Sequence, residues 1–445
     1  MYIYGKDDSD NMLHTNLSID PATGHLLLAG RDTVELAEKY GTPLYLLDEA
    51  RIREKCRTYV NAMKEAFAPG SMPLLASKAL CFKGIYKIAA EEQMGTDLVS
   101  PGELYTARAA GFDLSRAYFH GNNKTDEDIA FALDSGVGYF ICDNLEELQS
   151  LQAQVQARGQ VQKILLRVTP GIDPHTHKAI STGKVDSKFG TAIETGQAIQ
   201  LVRRILDTMP NLDLQGLHCH VGSLCFDSQP FLDAADIMIA FLAEIRAQTG
   251  VTLHVLNLGG GYGVRYVESD PHIDIADNIR QVGQHIRTRC EKEQFPEPQV
   301  LLEPGRSIVA DAGVTMYTVG SVKTITGYKS YVSIDGGMTD NPRYALYQSA
   351  YTVLNASHAD RKADFTATIA GRCCESGDLI QEDVALATPV RGDKLAVLVT
   401  GAYNYSMASN YNRLPRPAIV MIQPDGTDIL AVRRETYEDL IRCDM

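Results

Sequence analysis

The chain has 445 residues, 44% of them hydrophobic and 22% charged, a composition that fits a folded globular protein and excludes a mainly disordered one. Lys and Arg together number 42 and Asp and Glu 56, which gives a net charge of −14. An acidic chain without a long basic run is a poor partner for nucleic acid or for an anionic membrane surface, so we expect neither.

The sequence also indicates where the protein works. No stretch approaches the roughly 20 consecutive apolar residues of a membrane span. The first residues lack the basic-then-apolar order of a secretory signal. The 9 cysteines have an odd count and no repeated spacing, which argues against a disulfide framework. We therefore expect a cytoplasmic protein.

The middle of the chain alternates short apolar runs with segments of helical period, which is typical of an α/β protein. Eight such runs, each followed by a helix-like segment, predict a (β/α)8 TIM barrel. The predicted strands are 73–77, 97–100, 117–120, 138–143, 163–168, 214–220, 253–259 and 299–305.

The pattern of apolar and polar residues changes downstream of Val314. Strand-like runs separated by turn residues predict a second, β-rich domain there. We place the barrel at residues 41–313 and the C-terminal β domain at 314–445. Residues 1–40 form an N-terminal segment that we expect to add to the β domain, through HLLLAG at 25–30.

Polar or glycine-rich residues follow seven of the eight predicted strands, at the end where barrels carry their reacting groups. Lys78 ends the first strand, a position that favours Schiff-base chemistry over a surface role. Gly259, Gly260 and Gly261 end the seventh, where backbone amides can approach a phosphate, although a plain turn is the competing interpretation. Glu303 ends the eighth and could face a pyridine nitrogen. Together these parts predict a pyridoxal 5'-phosphate (PLP) site.

The chain resembles the fold type III PLP-dependent decarboxylases, and within them the diaminopimelate decarboxylase branch. The resemblance extends from residue 40 to residue 412 and implies a barrel followed by a β domain. The strings that carry it are ASKA (76–79), DLVSPGEL (97–104), HGNNK (120–124), PGIDPHTHKAISTGKVDSKFG (170–190), GLHCHVGS (216–223), LGGGYG (258–263), EPGR (303–306), DGGMTDNPRYALY (335–347), CESGD (374–378) and GAYNYSMASNYN (401–412).

The resemblance implies how the cofactor is held. Lys78 would carry it, His220 would stack on its ring and Glu303 would pair with its pyridine nitrogen. The other cofactor contacts that it implies are Asp97, Ser223, Gly259, Gly260, Gly261, Gly305, Arg306 and Tyr403.

The resemblance also implies an amino-acid substrate and a proton donor. Cys374 would protonate Cα after CO2 leaves, which makes Lys78, His220, Glu303 and Cys374 the predicted catalytic residues. Cys374 and Glu375 would come from a partner subunit, so a homodimer with shared active sites is expected. The substrate contacts implied are Arg306, Arg343, Tyr347, Glu375 and Tyr403.

Several positions have a plainer interpretation. Of the two histidines His218 and His220, we expect His218 to be structural rather than catalytic. Asp173, His175 and His177 have a ligand-like spacing, but we predict no metal and assign them to a loop over the barrel mouth. The departures from the family pattern, none of which falls on a residue with a proposed catalytic role, are Leu80, Asn257, Arg372, Leu224 and Cys225.

The expected activity is therefore PLP-dependent decarboxylation of meso-2,6-diaminopimelate to L-lysine and CO2, the last step of lysine biosynthesis by that route. The alternatives are a decarboxylase of another basic amino acid (D-ornithine, D-lysine or L-ornithine) or of a carrier-bound amino acid. A racemase, a cofactor carrier and a regulator without activity fit less well, because the cysteine string and Lys78, Glu303 and Cys374 are all present.

Overall fold

The computed structural model describes residues 15–172 and 187–445, and these divide into two compact units. The barrel unit comprises Cys56–Gly263 and Ile273–Gly305. The β unit comprises the described residues up to Lys55, the short segment Val264–His272 and Arg306–Met445. The domain limits at residues 40 and 313 stay a prediction.

The barrel unit contains a closed ring of eight parallel strands, which confirms the predicted TIM barrel. Each strand pairs with the next, and the eighth pairs with the first. A short strand, Thr191–Ala192, adds to the fifth. In chain order the barrel strands are Met72–Ala76, Gly95–Leu98, Ala117–Phe119, Tyr139–Cys142, Gln162–Thr169, Leu212–His218, Val255–Asn257 and Gln299–Leu302.

Helices follow the barrel strands, and local side chains fix where they begin. Ser100 accepts the backbone N–H of Glu103 while the Glu103 carboxylate accepts that of Val99, which satisfies two donors that a helix start leaves open. Thr125 and Asp128 form a reciprocal capping box at the next helix. The helices of the barrel unit are Lys83–Glu91, Pro101–Ala109, Asp126–Asp134, Leu145–Ala157, Gln197–Thr208, Gln229–Thr249 and Ile275–Lys292, while Glu49–Ala66 contains the boundary between the units.

Side chains from alternate positions of the strands fill the barrel, as expected for a packed rather than hollow interior. A cluster of buried residues comes from six different strands: Leu74, Tyr118, Ile141, Leu165, Val255 and Leu301. The inward side chains fill the interior of the barrel. The polar residues at the strand ends therefore lie at the carboxyl face, outside this packed core.

The β unit is built on a nine-stranded mixed sheet, as the sequence predicts for the C-terminal region. Its longest strand, Gly313–Thr324, pairs with three others: Leu44–Asp48, Ser330–Ile334 and Lys394–Leu398. The remaining strands of this sheet are Val353–Asn355, Phe365–Ala370, Leu379–Leu386, Ala418–Ile422 and Asp428–Val432.

Two features of the N-terminal region differ from the sequence-based expectation. Leu44–Asp48 falls within the predicted barrel limits of 41–313. It is instead a buried strand of the nine-stranded sheet, between Gly313–Thr324 and Ala418–Ile422. The run at 25–30 instead forms a separate small sheet from Leu17–Ile19, Leu26–Leu28 and Arg31–Asp32. Other helices of the β unit are Thr33–Tyr40, Arg306–Val309, Arg343–Tyr347 and Tyr437–Ile441.

Two further properties concern the helices and the cysteines. None of the helices in the described part of the chain combines the length and the apolar character that crossing a membrane requires. None of the 9 cysteines, all of which lie in described residues, forms a disulfide.

Candidate active site

Lys78 lies in a single 3-10 turn, Ser77–Ala79, immediately after the first barrel strand. Its Nζ donates a hydrogen bond of 2.7 Å to Oδ2 of Asp97, which is fully buried at the second strand. The lysine side chain itself is 41% exposed, so it is open to a ligand while its charge is balanced. The Oδ1 atom of Asp97 has no hydrogen-bond partner in the described residues, an unsatisfied acceptor that a ligand could use.

Glu303 is the centre of a second buried group at the carboxyl ends of the strands. His120 Nε2 lies 2.9 Å from its Oε1 and His218 Nε2 lies 3.3 Å from its Oε2. Asn257 Nδ2 donates a hydrogen bond of 2.7 Å to Oε1. We call His120, His218, Asn257 and Glu303 the carboxylate cluster.

The carboxylate cluster holds its negative charge on Glu303. Burial by itself raises the pKa of the Glu303 carboxyl, but the neighbouring His120 and His218 outweigh burial and hold the pKa well below its usual range. Burial lowers the pKa of His218 to about 4 despite the nearby carboxylate, so this imidazole is neutral at neutral pH. A neutral His218 with its proton on Nε2 can donate to Glu303.

The glycine run after the seventh strand makes close approaches that a side chain would block. A Cβ on Gly260 would lie 2.1 Å from the carbonyl oxygen of Glu303, and one on Gly259, whose φ is +70°, would lie 2.6 Å from Nδ1 of His220. The amides of these two glycines donate to His220 Nδ1 and to Asn257 Oδ1. Only the Gly261 amide of the run is therefore a candidate for binding phosphate.

His220 and Ser223 follow the sixth strand, which ends at His218. Burial, and then the charge of Lys78, lowers the pKa of the His220 imidazole well below its usual range, so its ring is neutral at neutral pH. The loop that carries Ser223 is joined to the glycine run, because Cys225 N donates to the Gly261 carbonyl at 2.9 Å. Both predicted residues therefore lie beside the glycines.

Gly305 lets the end of the eighth strand pack against the turn that carries Lys78. A Cβ at this position would lie 3.0 Å from the Cβ atoms of Ala76 and Ala79. The Ala76 amide donates to the Pro304 carbonyl at 3.0 Å. The structure therefore brings together Lys78, Asp97, Glu303 and Gly305 as predicted, with His220, Ser223 and the glycines on the adjoining strands.

The β unit holds a different group, in which two buried arginines alternate with tyrosine rings. The Arg306 guanidinium lies 4.6 Å from the Tyr403 ring centroid, and its Nη1 donates to Tyr266 Oη at 2.6 Å. The Arg343 guanidinium lies 4.5 Å from the Tyr266 ring centroid and donates to Tyr351 Oη at 3.1 Å. We call Arg306, Arg343, Tyr266, Tyr351 and Tyr403 the arginine cluster.

The arginine cluster is suited to bind an anion. Arg343 is buried, and its described hydrogen bonds go to the neutral hydroxyls of Tyr351 and Ser349 rather than to a carboxylate. Tyr403 has a left-handed φ of 59°, a conformation that is uncommon outside glycine and concentrates at functional sites. A buried guanidinium that faces only aromatic rings and hydroxyls favours a carboxylate ligand.

The other predicted substrate residues lie elsewhere in the β unit. Tyr347 ends the helix Arg343–Tyr347 and is half-buried. Cys374 and Glu375 are exposed on a loop, where the Cys374 amide donates to Asn412 Oδ1 at 2.7 Å. The described contacts of this unit do not place Cys374 or Glu375 in the arginine cluster.

The carboxylate cluster could also hold a metal by distance alone, since one ligand atom from each of His120, His218 and Glu303 lies within 4.8 Å of the others. The anionic Glu303 carboxylate also fits the protonated pyridine nitrogen of PLP. The residues Asp173, His175 and His177, which the sequence assigns to a loop, lie outside the described residues.

Sequence reasoning missed several contacts. Asn257, one of the departures from the family pattern, donates a hydrogen bond to Glu303, a contact that the sequence analysis did not predict. His120 and Tyr266 carry no proposed role in the sequence, although each stands at or after the end of a barrel strand. Their position at the carboxyl end of a barrel strand could have identified His120 and Asn257 as candidate site residues.

These residues fit PLP: a half-exposed lysine with a buried counter-carboxylate, a buried anionic glutamate and a neutral histidine beside a glycine loop. Residues 49–310 match the family model described as pyridoxal-dependent decarboxylase, pyridoxal binding domain. Fold and site together define a PLP-dependent carboxy-lyase of the barrel type.

Similar proteins identify the family within this class of enzymes. The chain is 44% identical to diaminopimelate decarboxylase of Bacillus subtilis (strain 168) over 95% of both chains, and 43% identical to that of Halalkalibacterium halodurans, also over 95% of both. The crystal structure of the M. jannaschii diaminopimelate decarboxylase in complex with L-lysine superposes with a TM-score of 0.88 at 33% identity, covering 97% of this chain and 98% of that one. The chain belongs to the diaminopimelate decarboxylase family.

Proposed function

We propose that this protein releases CO2 from meso-2,6-diaminopimelate and forms L-lysine, the last step of lysine biosynthesis by this route, in the cytoplasm. The observation that carries the proposal is the 44% identity, over 95% of both chains, to the Bacillus subtilis diaminopimelate decarboxylase. The arginine cluster supports it, because diaminopimelate has a second carboxylate, remote from the reacting carbon, that guanidinium groups bind well.

Residues of the barrel unit would hold the cofactor. When bound, PLP draws electrons from Cα of an amino acid joined to it, which allows the bond to the carboxylate to break. Lys78 would bind the cofactor covalently through Nζ, with Asp97 holding that nitrogen. Glu303, as an anion, would keep a proton on the pyridine nitrogen. The neutral His220 ring would stack on the cofactor.

The phosphate would be held by a smaller set of donors than the sequence predicts. The amides of Gly259 and Gly260 are used by Asn257 and His220. We therefore assign the phosphate to the Gly261 amide and the Ser223 hydroxyl, and keep the further contacts that the family resemblance implies, Gly305, Arg306 and Tyr403, as part of this proposal.

Arg306 and Arg343 would hold the distal carboxylate of the substrate, and Tyr347, Tyr403 and Glu375 the rest of its far end. An ornithine-type substrate has only an ammonium group there and would offer no carboxylate to the buried Arg343 guanidinium, whose described hydrogen bonds go to hydroxyl groups. This asymmetry favours diaminopimelate over the alternatives of D-ornithine, D-lysine or L-ornithine.

The direct test is turnover by the purified protein supplied with PLP, using meso-diaminopimelate, D-ornithine and L-ornithine in parallel. We expect CO2 and L-lysine in equal amounts from diaminopimelate and no turnover of either ornithine. Turnover of an ornithine in place of diaminopimelate would contradict the substrate assignment, and no turnover of any of them would contradict the enzymatic role.

Cys374 would deliver the proton to Cα, and we place Cys374 and Glu375 in the active site of the partner subunit of a homodimer. Their exposure supports this arrangement, since a residue that completes another subunit's site has to reach the surface of its own chain.

Mixing two inactive variants tests the shared site. Lys78→Ala and Cys374→Ala subunits, unfolded and refolded together, should recover up to about a quarter of the wild-type activity, because half of the dimers are mixed and each mixed dimer has one complete site. Mixtures that remain as inactive as the separate variants would contradict a site shared between subunits.

A further inference from the structure

The segment Val264–His272 follows the seventh barrel strand in sequence but belongs to the β unit. Within that unit Tyr266 is 5% exposed, and its backbone carbonyl accepts a hydrogen bond of 3.0 Å from Thr352 Oγ1. Its ring meets that of Tyr351 edge-on, with centroids 5.6 Å apart. The backbone and the ring of Tyr266 are therefore both fixed by neighbours.

Tyr266 contacts both arginines of the arginine cluster, each in a different way. Its hydroxyl oxygen accepts a hydrogen bond of 2.6 Å from Arg306 Nη1. Its ring lies against the Arg343 guanidinium, 4.5 Å from centroid to Cζ. Among the described contacts, Tyr403 stacks on the Arg306 guanidinium and Tyr351 accepts a hydrogen bond from Arg343. Tyr266 is thus the residue that joins them.

The Arg306 and Arg343 guanidinium groups both contact Tyr266 and carry the same charge. They therefore repel each other, and flexible side chains would let them move apart. An aromatic ring placed between them offers its negative face to one cation and its hydroxyl oxygen to the other, which offsets that repulsion. The result is two cations with a fixed separation. A carboxylate has two oxygens and is bound best by donors that are held in place beforehand.

We infer that Tyr266 is a positioning residue for substrate binding: it fixes Arg306 and Arg343 to receive the distal carboxylate of the substrate. The inference rests on the proposed function, which assigns that carboxylate to the two arginines. Tyr266 takes no part in breaking the bond to CO2, so its loss should weaken binding of the far end and leave the chemical step in place.

The test is Tyr266→Phe, which keeps the ring against Arg343 and removes the oxygen that accepts from Arg306. A hydrogen bond to a charged group is worth enough for KM for meso-diaminopimelate to rise about tenfold, with kcat changing less than about threefold. Tyr266→Leu, which removes both contacts, should raise KM further. Tyr40→Phe is the control, because it also removes a tyrosine hydroxyl bound to a partner (Asp428) but lies outside the cluster.

Inhibition separates positioning from a merely structural role. L-lysine retains the distal carboxylate, so its inhibition constant in Tyr266→Phe should rise by the same factor as KM. The diamine 1,5-diaminopentane has no carboxylate, and its inhibition constant should not change. Equal weakening of both inhibitors, or an unchanged KM, would overturn the inference. Failure of the wild-type protein to use diaminopimelate would instead count against the proposed function.

Discussion

The two units of this protein bury charge of opposite sign and balance it by different means. In the barrel unit a single carboxylate, Glu303, is surrounded by two imidazoles and an amide. In the β unit two guanidinium groups face tyrosine rings and hydroxyls, and no described carboxylate pairs with Arg343. Glu303 is therefore surrounded by close nitrogen donors, whereas the described hydrogen bonds of Arg343 go to hydroxyl groups.

This difference indicates what each cluster receives. The pKa of the Glu303 carboxyl lies well below its usual range, so this group is an anion and suits a ligand N–H, such as that of a protonated pyridine. Guanidinium groups against aromatic faces keep their planar donor edges for a carboxylate. Variants of the barrel unit should therefore change the chemical step, and variants of the arginine cluster should change substrate binding.

The largest effect is expected at Lys78. Lys78→Ala removes the only group we assign to covalent binding of the cofactor, so the visible absorbance of the bound cofactor and the activity should both be abolished. Lys83→Ala, which removes an exposed lysine at the start of the following helix, is the matched control and should leave both unchanged. Turnover retained by Lys78→Ala would exclude this lysine from the mechanism.

Glu303→Gln should give the next largest effect. The change keeps the shape of the side chain and removes its charge, so kcat should fall at least about a hundredfold, the scale of losing one electrostatic contact in an active site. Cofactor absorbance should persist, and inhibition by L-lysine should be nearly unchanged. If Glu303→Gln weakened L-lysine binding as strongly as it slowed turnover, the division of tasks between the two clusters would be wrong.

Arg343→Lys is the counterpart in the arginine cluster. It keeps the positive charge and loses the planar fork that binds both oxygens of a carboxylate, so KM for meso-diaminopimelate should rise about thirtyfold while kcat stays within about threefold. Arg391→Lys, at an exposed arginine of the same unit, is the control. A fall in kcat at constant KM would instead place Arg343 in the chemical step.

The sequence predicts the barrel unit far better than the pairing in the β unit. Each barrel strand is an apolar run followed by its own helix, so strand, helix and polar strand end are local features. Leu44–Asp48 is also apolar, but its partners lie more than two hundred residues away, at Gly313–Thr324 and Ala418–Ile422. Local pattern does not specify such pairing, which is why this strand could not be placed.

The candidate site shows the same limit at the level of single residues. Alternation along a strand would put His218 and His220 on the same face, so it does not separate their roles, and the strand in any case ends at His218. His218 instead lies beside Glu303, and Tyr266 is placed by a loop in which no period fixes side-chain direction. The sequence predicts which residues lie at the strand ends, but it does not predict which side chains contact each other there.

The smallest effect should appear in the pH dependence of stability, through His218. Burial lowers its pKa to about 4, below the usual 6.5, so between these values the unfolded chain binds a proton that the folded protein does not. The free energy of unfolding should therefore fall as pH drops from about 6.5 to about 4, by about 3 kcal/mol from this residue, and be fully present above that range.

Urea unfolding followed by circular dichroism across this pH range measures the difference. His218→Asn should lose about 3 kcal/mol less than the wild-type protein on acidification, while His254→Asn, at an exposed histidine, should follow the wild-type curve. The depressed pKa of Glu303 acts in the same direction, but only as pH falls below the usual carboxyl value of 4.5, so the His218 contribution is measured above that pH. Parallel curves for His218→Asn and the wild-type protein would mean that the imidazole is not held neutral. The carboxylate cluster would then contain a protonated histidine, and it would differ from the arginine cluster in burying an ion pair.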